Sequence, residues 1–240
     1  MFWAKSEGGE MSDPTFEQVV CEGVAFQERF PDEPLIAVGG TAAALHCRHR
    51  YSLDVDCVTP RLRENFEGHL ARLEGWADWR TNRKNPPVLI LGERHGVELG
   101  LRQLRRTQPL ETTKVEGLII PTLEEMLRVK AFLLAERRST RDFIDVAALV
   151  RQLGDDASLL ALRTLNGLYP AFGVLSPVSA LAEAAEAEPG DLNLVPLDRY
   201  KGLRPPFTDW TSVRDGVRRI TRRLLRLELE GDPLKEGPES

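Results

Sequence analysis

The sequence predicts an α+β (α/β) fold: a mixed β-sheet with flanking helices over 1–121, then a C-terminal helical domain over 122–240. Three observations carry this. Short apolar or alternating segments interleave with helical ones through residue 120. From Pro121 onward every periodic segment has helical spacing. Composition is that of an ordinary globular chain, 42% hydrophobic and 29% charged over 240 residues, which suffices for one sizeable core.

The elements follow in order. Asp13-Pro14 opens a helix whose apolar face is Phe16, Val19, Val20, Val24 and Phe30, and Pro31 and Pro34 close it. Leu35 to Val38 is a short buried strand ending in Gly39-Gly40, and Thr41 starts an alanine-rich helix to about Cys47. Leu53 to Val58 alternates with period two, so Asp54 and Asp56 share one face. A helix over about 61–75 follows, then strands at 88–91, 96–104 and 118–120. Thr122-Leu123-Glu124-Glu125 reads as a capping box for a helix to about Arg137. Ser139 or Thr140 caps the next, to about Leu153. Further helices fall at 157–168, 177–188 and 208–230. Residues 201–207 form a proline-rich loop, and 231–240 a polar, frayed tail.

Several classes are excluded. No apolar run approaches the ~20 residues that span a bilayer. Residues 1–13 lack the basic and apolar regions of a signal peptide, so a cytoplasmic protein with no membrane partner is expected. Three widely spaced cysteines, Cys21, Cys47 and Cys57, fit free thiols. There is no internal repeat. A net charge of −5 excludes a globally basic nucleic-acid binder, although 32 Lys and Arg can still cluster locally.

Three constellations could carry chemistry. In the first, Gly39-Gly40 lets backbone approach a ligand, Thr41 and the following amides face an anion, and Asp54 and Asp56 project side by side as oxygen ligands for a divalent ion. The plainer alternative is a glycine turn beside two exposed aspartates, but Asp is disfavoured in strands. The second is Lys130, which falls within the apolar stripe of Leu123, Met126, Leu127, Leu133 and Leu134 and must snorkel or meet an anion. The third is Asp142 and Asp145, on one face of the following helix. Asp142 is explained by the helix dipole, Asp145 is not.

Together Gly39-Gly40-Thr41, Arg50 to Asp56, Lys130 and Arg141 to Val146 resemble the nucleotidyltransferase superfamily, and more narrowly the AbiEii/AbiGii toxin family with its MenT-like group. The resemblance covers about residues 35–150. It implies a nucleotidyltransferase-type sheet and a cleft completed by the helical half. Asp54 and Asp56 would bind Mg2+ or Mn2+, with Glu98 as a third carboxylate. Gly39, Gly40, Thr41 and Ser52 would line the NTP phosphate site, and Lys130 would reach the triphosphate. Asp142 or Asp145 would complete the catalytic set; spacing does not choose between them. The implied reaction moves NMP from NTP to the 3′ end of tRNA and inhibits translation. A cognate antitoxin is the implied protein partner, acting in some members on a hydroxyl where Ser52 stands. A monomer is expected. Transfer to a small molecule such as an aminoglycoside, or to a protein side chain, is the first alternative. A non-enzymatic nucleotide-binding regulator is the second.

An RNA surface has sequence candidates. Arg214, Arg218, Arg222 and Arg226 recur at i+4 along the last helix, widened by Arg219 and Arg223, opposite Val213, Val217, Ile220, Leu224 and Leu227. Like charges at that spacing weaken an isolated helix and suggest an anionic partner; the alternatives are a solvated face or pairing with Glu228, Glu230 and Asp232. Other basic patches are Arg102, Arg105 and Arg106, and Arg80, Arg83 and Lys84. His46 and His49 are candidates for phosphate contacts, Trp76 and Trp79 for base stacking, and Tyr200-Lys201 for the cleft border.

Overall fold

The computed structural model describes residues 13–230. Most of the N-terminal stretch and the tail 231–240 lie outside them. Helix α1 (Phe16–Glu28) is capped by Thr15, whose side chain accepts from the Gln18 amide while Gln18 reaches back. Strand β1 (Ile36–Val38) leads into α2 (Gly39–Cys47), and β2 (Asp54–Thr59) follows. The expected helix over 61–75 is shorter: α3 spans Phe66–Glu74, after a turned segment that buries Leu62. Then come β3 (Arg80–Asn85), β4 (Leu89–Arg94) and β5 (Val97–Gln103).

These strands make one mixed sheet in the order β1-β2-β5-β4-β3, with β2 and β5 parallel and the other pairs antiparallel. One face is core: Ala37, Val55, Cys57, Ile90, Leu99 and Leu101 are fully buried there. Helix α1 lies so close that a side chain at Gly23 would meet Val55 and Leu118 at 3.2 and 2.9 Å. The other face carries Asp54, Asp56 and Val58 on β2 beside Glu98, Gly100 and Arg102 on β5.

Two strands are additions to the sequence reading. Strand β3 is an edge strand of polar, mostly exposed residues, so no alternation betrays it. Strand β6 (Thr112–Val115), equally polar, pairs with β7 (Leu118–Pro121) in a separate two-stranded sheet.

The remaining elements of the described chain are helices, α4 (Leu123–Arg137), α5 (Thr140–Leu153), α6 (Asp155–Leu162), α7 (Leu165–Leu168), α8 (Pro177–Glu186) and α9 (Trp210–Leu229), with loops over 169–176 and 187–209 that include a short 3-10 turn, Leu197–Arg199. The single helix expected over 157–168 is two, α6 and α7. Thr122 caps α4 through the Glu125 amide. The reciprocal half of the expected capping box is missing, because the Glu125 carboxylate is buried between Arg106 and Arg128. Ser139 rather than Thr140 caps α5; the Thr140 hydroxyl donates to Asp191. One hydrophobic cluster runs from Val19 on α1 to Leu224 on α9. No helix among the described residues is long and apolar enough to cross a membrane.

Candidate active site

A cleft of about 800 Å3 opens between the polar sheet face and α4. At one end the chain leaves β1 through Gly39, whose φ of +76° favours glycine, and enters α2. Val38, at the N-cap, offers no side-chain bond to the first amides of α2. Of that first turn Gly39 and Gly40 line the cleft, where the positive end of the helix dipole lies. Gly40 has no room for a side chain: a methyl group there would overlap the Ser52 hydroxyl and approach Arg50 Nη2 to 2.7 Å. Thr41 departs from expectation. It is fully buried, and its hydroxyl donates to the Asp54 carbonyl at 2.5 Å. It fastens α2 to β2 instead of facing an anion.

Asp54 and Asp56 both line the cleft. Ser52 Oγ donates to Asp54 Oδ1 at 2.6 Å, and Arg102 Nε donates to Asp56 Oδ1 at 2.7 Å. Their Oδ2 atoms have no hydrogen-bond partner among the described residues. Two hard carboxylate oxygens on neighbouring side chains of one strand face suit Mg2+ or Mn2+. Gly100, opposite Asp56 on β5, leaves space for this carboxylate; a Cβ there would overlap Asp56 Oδ1. Glu98 does not join them. It stands opposite Asp54 in the register, but it is exposed and outside the cleft lining. Among the described residues no three Asp, Glu, His or Cys side chains are grouped to hold a metal ion.

Lys130 lines the cleft, yet its side chain is 2% exposed. Its Nζ lies 2.6 Å from Asp145 Oδ2 and 3.3 Å from Asp142 Oδ1. Asp145 is fully buried and is shared by three groups. Arg50 grips it with Nε and Nη2 at 2.8 and 2.9 Å, and His49 Nε2 lies 2.8 Å from Oδ1. Burial pushes the Asp145 carboxyl up, but Arg50 and Lys130, with the hydrogen bonds from His49 and Arg50, outweigh it and hold it well below the carboxylate range. Asp142 is also fully buried, and Ser139 Oγ donates to its Oδ2 at 2.7 Å. Both aspartates, expected to complete the site, are absent from the cleft lining. They approach it through Lys130, which they hold from behind.

The cleft walls are cationic: seven Lys and Arg line it against Asp54, Asp56 and Glu136. Arg63 and Arg141 are exposed there and make no ion pair within the described residues. The same cleft has an apolar side, where Phe132 stacks on Tyr169 at 4.1 Å and on Phe172 at 5.2 Å.

The other candidates lie elsewhere. On α9, Arg222 grips Glu186 at 2.6 and 2.9 Å, Arg218 donates to the carbonyls of Ala185 and Glu186, and Arg214 pairs with Asp215. Arg219 and Arg223 pair with Asp155. Five of the six arginines of the stripe thus have anions on α6, α8 and α9 itself, while Arg226 is exposed and makes no ion pair within the described residues. Glu228 and Glu230 pair with none of the six there, and Asp232 lies outside the described residues. His46 Nε2 lies 2.8 Å from the Pro121 carbonyl, away from any phosphate site. Trp76 and Trp79 stack on Phe26 and pack against the core. The Tyr200-Lys201 segment meets the 48–52 loop, where Lys201 O accepts from the Tyr51 amide at 2.8 Å.

Comparison with solved structures places this architecture. JHP933 from Helicobacter pylori is 16% identical with a TM-score of 0.53, covering 90% of this chain and 95% of that one. A second H. pylori structure, provisionally assigned as a nucleotidyltransferase, is 16% identical with a TM-score of 0.54, covering 91% and 98%. The antibiotic-resistance factor ANT(2'')-Ia is 15% identical with a TM-score of 0.45, covering 63% and 92%. No protein-family model matches the chain, and no curated protein does. The fold is therefore of the nucleotidyltransferase type, a mixed sheet with flanking helices and a helical C-terminal region.

Proposed function

We propose that the protein is a magnesium-dependent nucleotidyltransferase that transfers NMP from an NTP to the 3′ end of tRNA, as the toxin of a toxin–antitoxin pair. One observation carries the chemistry: the uncapped start of α2, Asp54, Asp56 and Lys130 all line a single cleft. The α2 amides at Gly39 and Gly40 would bind phosphate oxygens, and Lys130 would neutralise the triphosphate as a point charge. Ser52 fixes the rotamer of Asp54. Asp54 and Asp56 would hold Mg2+ or Mn2+, which supplies charge neutralisation and a more acidic acceptor hydroxyl. The acceptor hydroxyl loses its proton to solvent as its oxygen bonds to the α-phosphorus, the bond from that phosphorus to the α–β bridging oxygen breaks, and pyrophosphate leaves in line. Most of the rate comes from positioning and electrostatics.

The acceptor is read from the cationic walls. A polyanion such as tRNA matches them, and a polycationic aminoglycoside meets repulsion. The non-enzymatic regulator is favoured by one observation, the two-carboxylate rather than three-carboxylate site. The test incubates the protein with bulk tRNA, Mg2+ and each labelled NTP, beside Asp54→Ala. Label on tRNA from one nucleotide, absent in the variant, supports the reading. NTP binding with no label on tRNA overturns it, and labelled aminoglycoside or protein would redirect it. Growth arrest on expression of wild type but not Asp54→Ala checks the toxin assignment.

A further inference from the structure

Arg102 is not explained by the assignments above. It lies on a central strand between Val58 of β2 and Leu89 of β4, both apolar, and reaches along the sheet to Asp56 Oδ1. Its two terminal nitrogens have no partner among the described residues, and the side chain lines the cleft with Gly39, Gly40 and Lys130. The pair sits at the cleft surface, Arg102 39% and Asp56 25% exposed, within reach of a dissolved ion.

A guanidinium and a divalent cation want the same carboxylate, and two adjacent aspartates repel each other when neither is neutralised. We infer that Arg102 is a positioning residue that exchanges partners. It holds Asp56 in the unloaded cleft and competes with the divalent cation for it. Once displaced, its forked donors turn to the phosphates that arrive with the ion. The inference rests on reading Asp54 and Asp56 as the cation site. Its consequence is order: metal alone binds weakly against the arginine, and metal with nucleotide binds well because the arginine gains a new partner. The site is thereby biased against filling with a bare ion.

The test measures Mn2+ binding to the full chain without nucleotide, by electron paramagnetic resonance of the free ion, and separately the binding of a non-hydrolysable Mn2+–NTP analogue. In Arg102→Gln, and in Arg102→Ala where it folds, free Mn2+ should bind about fivefold tighter, the worth of a partly exposed ion pair. The nucleotide complex should bind about tenfold weaker, the worth of one charge-assisted hydrogen bond. Arg102→Lys should fall between wild type and Gln in both. A merely structural arginine would move both affinities the same way. Mn2+ affinity unchanged or weakened in Arg102→Gln, while Asp54→Asn abolishes binding, overturns the exchange and leaves the carboxylate site standing. Unchanged Mn2+ binding in both Asp54→Asn and Asp56→Asn overturns the site itself, and the exchange with it.

Discussion

A methyl group on Gly100 would occupy the space of Asp56 Oδ1 and press on Leu91 at 2.9 Å. Gly100→Ala should therefore turn Asp56 away from the cleft. Overpacking costs of about 1–3 kcal/mol apply, and nucleotide transfer should fall at least tenfold while far-UV circular dichroism is retained. Unchanged transfer would mean that Asp56 works in another rotamer. At Asp145 the outcome is stability. Asp145→Asn leaves Arg50 and Lys130 buried without their shared anion, which should cost about 3–5 kcal/mol in urea unfolding. The pH dependence has a definite sign. The Asp145 carboxyl is depressed in the fold and returns to about 3.8 in the unfolded chain. Its contribution is full above that value and is lost as pH falls through the folded one. Wild type and Asp145→Asn should thus converge in urea midpoint between pH 5 and strongly acidic pH; parallel curves would refute the assignment. The sequence made Asp54, Asp56, Gly39 and Gly40 legible because each belongs to a local pattern, two glycines after a strand or two acids at i and i+2. Gly100 and the hold of Arg102 on Asp56 depend on β2–β5 register, which no local pattern contains. Gly100 left one signal, a glycine inside a strand.

At the scale of elements, amphipathic segments were readable and polar ones were not. Strand β3 and strand β6 each pair with a partner through backbone, so Arg80–Asn85 and Thr112–Val115 look like loops to any reading of hydrophobic period. Helix α9 was legible in part. Its apolar face was correctly placed, with Val213, Val217, Ile220 and Leu224 buried and Leu227 partly buried against the core. The ion-pair partners of its basic face were not visible, because Asp155 and Glu186 lie dozens of residues away. Hydrogen bonds from Arg219 and Arg222 lower the carboxyls of Asp155 and Glu186. These groups are partly or largely exposed, so the pairs that Arg219, Arg222 and Arg223 make with them are weak clasps between helices. Arg222→Ala should cost less than about 1 kcal/mol and leave tRNA labelling within twofold of wild type. A large fall in labelling with stability intact would restore α9 as the RNA surface.

On the scale of the whole molecule, a chain with net charge −5 concentrates positive charge in one cleft. Under the proposed function, that asymmetry would steer an anionic substrate toward the site and keep the rest of the surface from binding nucleic acid indiscriminately. If the acceptor is RNA, its phosphates should meet the exposed, unpaired rim arginines rather than the clasped ones on α9. Arg63→Glu with Arg141→Glu removes two such cations without touching the carboxylates or Lys130. Affinity for tRNA should fall, and the slope of log affinity against log salt should flatten by roughly 0.7–0.9 for each phosphate left without its arginine. Binding of the NTP analogue should stay near wild type, which separates acceptor from donor. Filter binding from low to moderate salt measures both quantities. A wild-type slope in the double variant, with a flattened one in Arg218→Glu and Arg222→Glu, would move the acceptor from the cleft mouth to α9. A wild-type slope in all of them would argue that the cationic walls serve a smaller anion, the nucleotide itself.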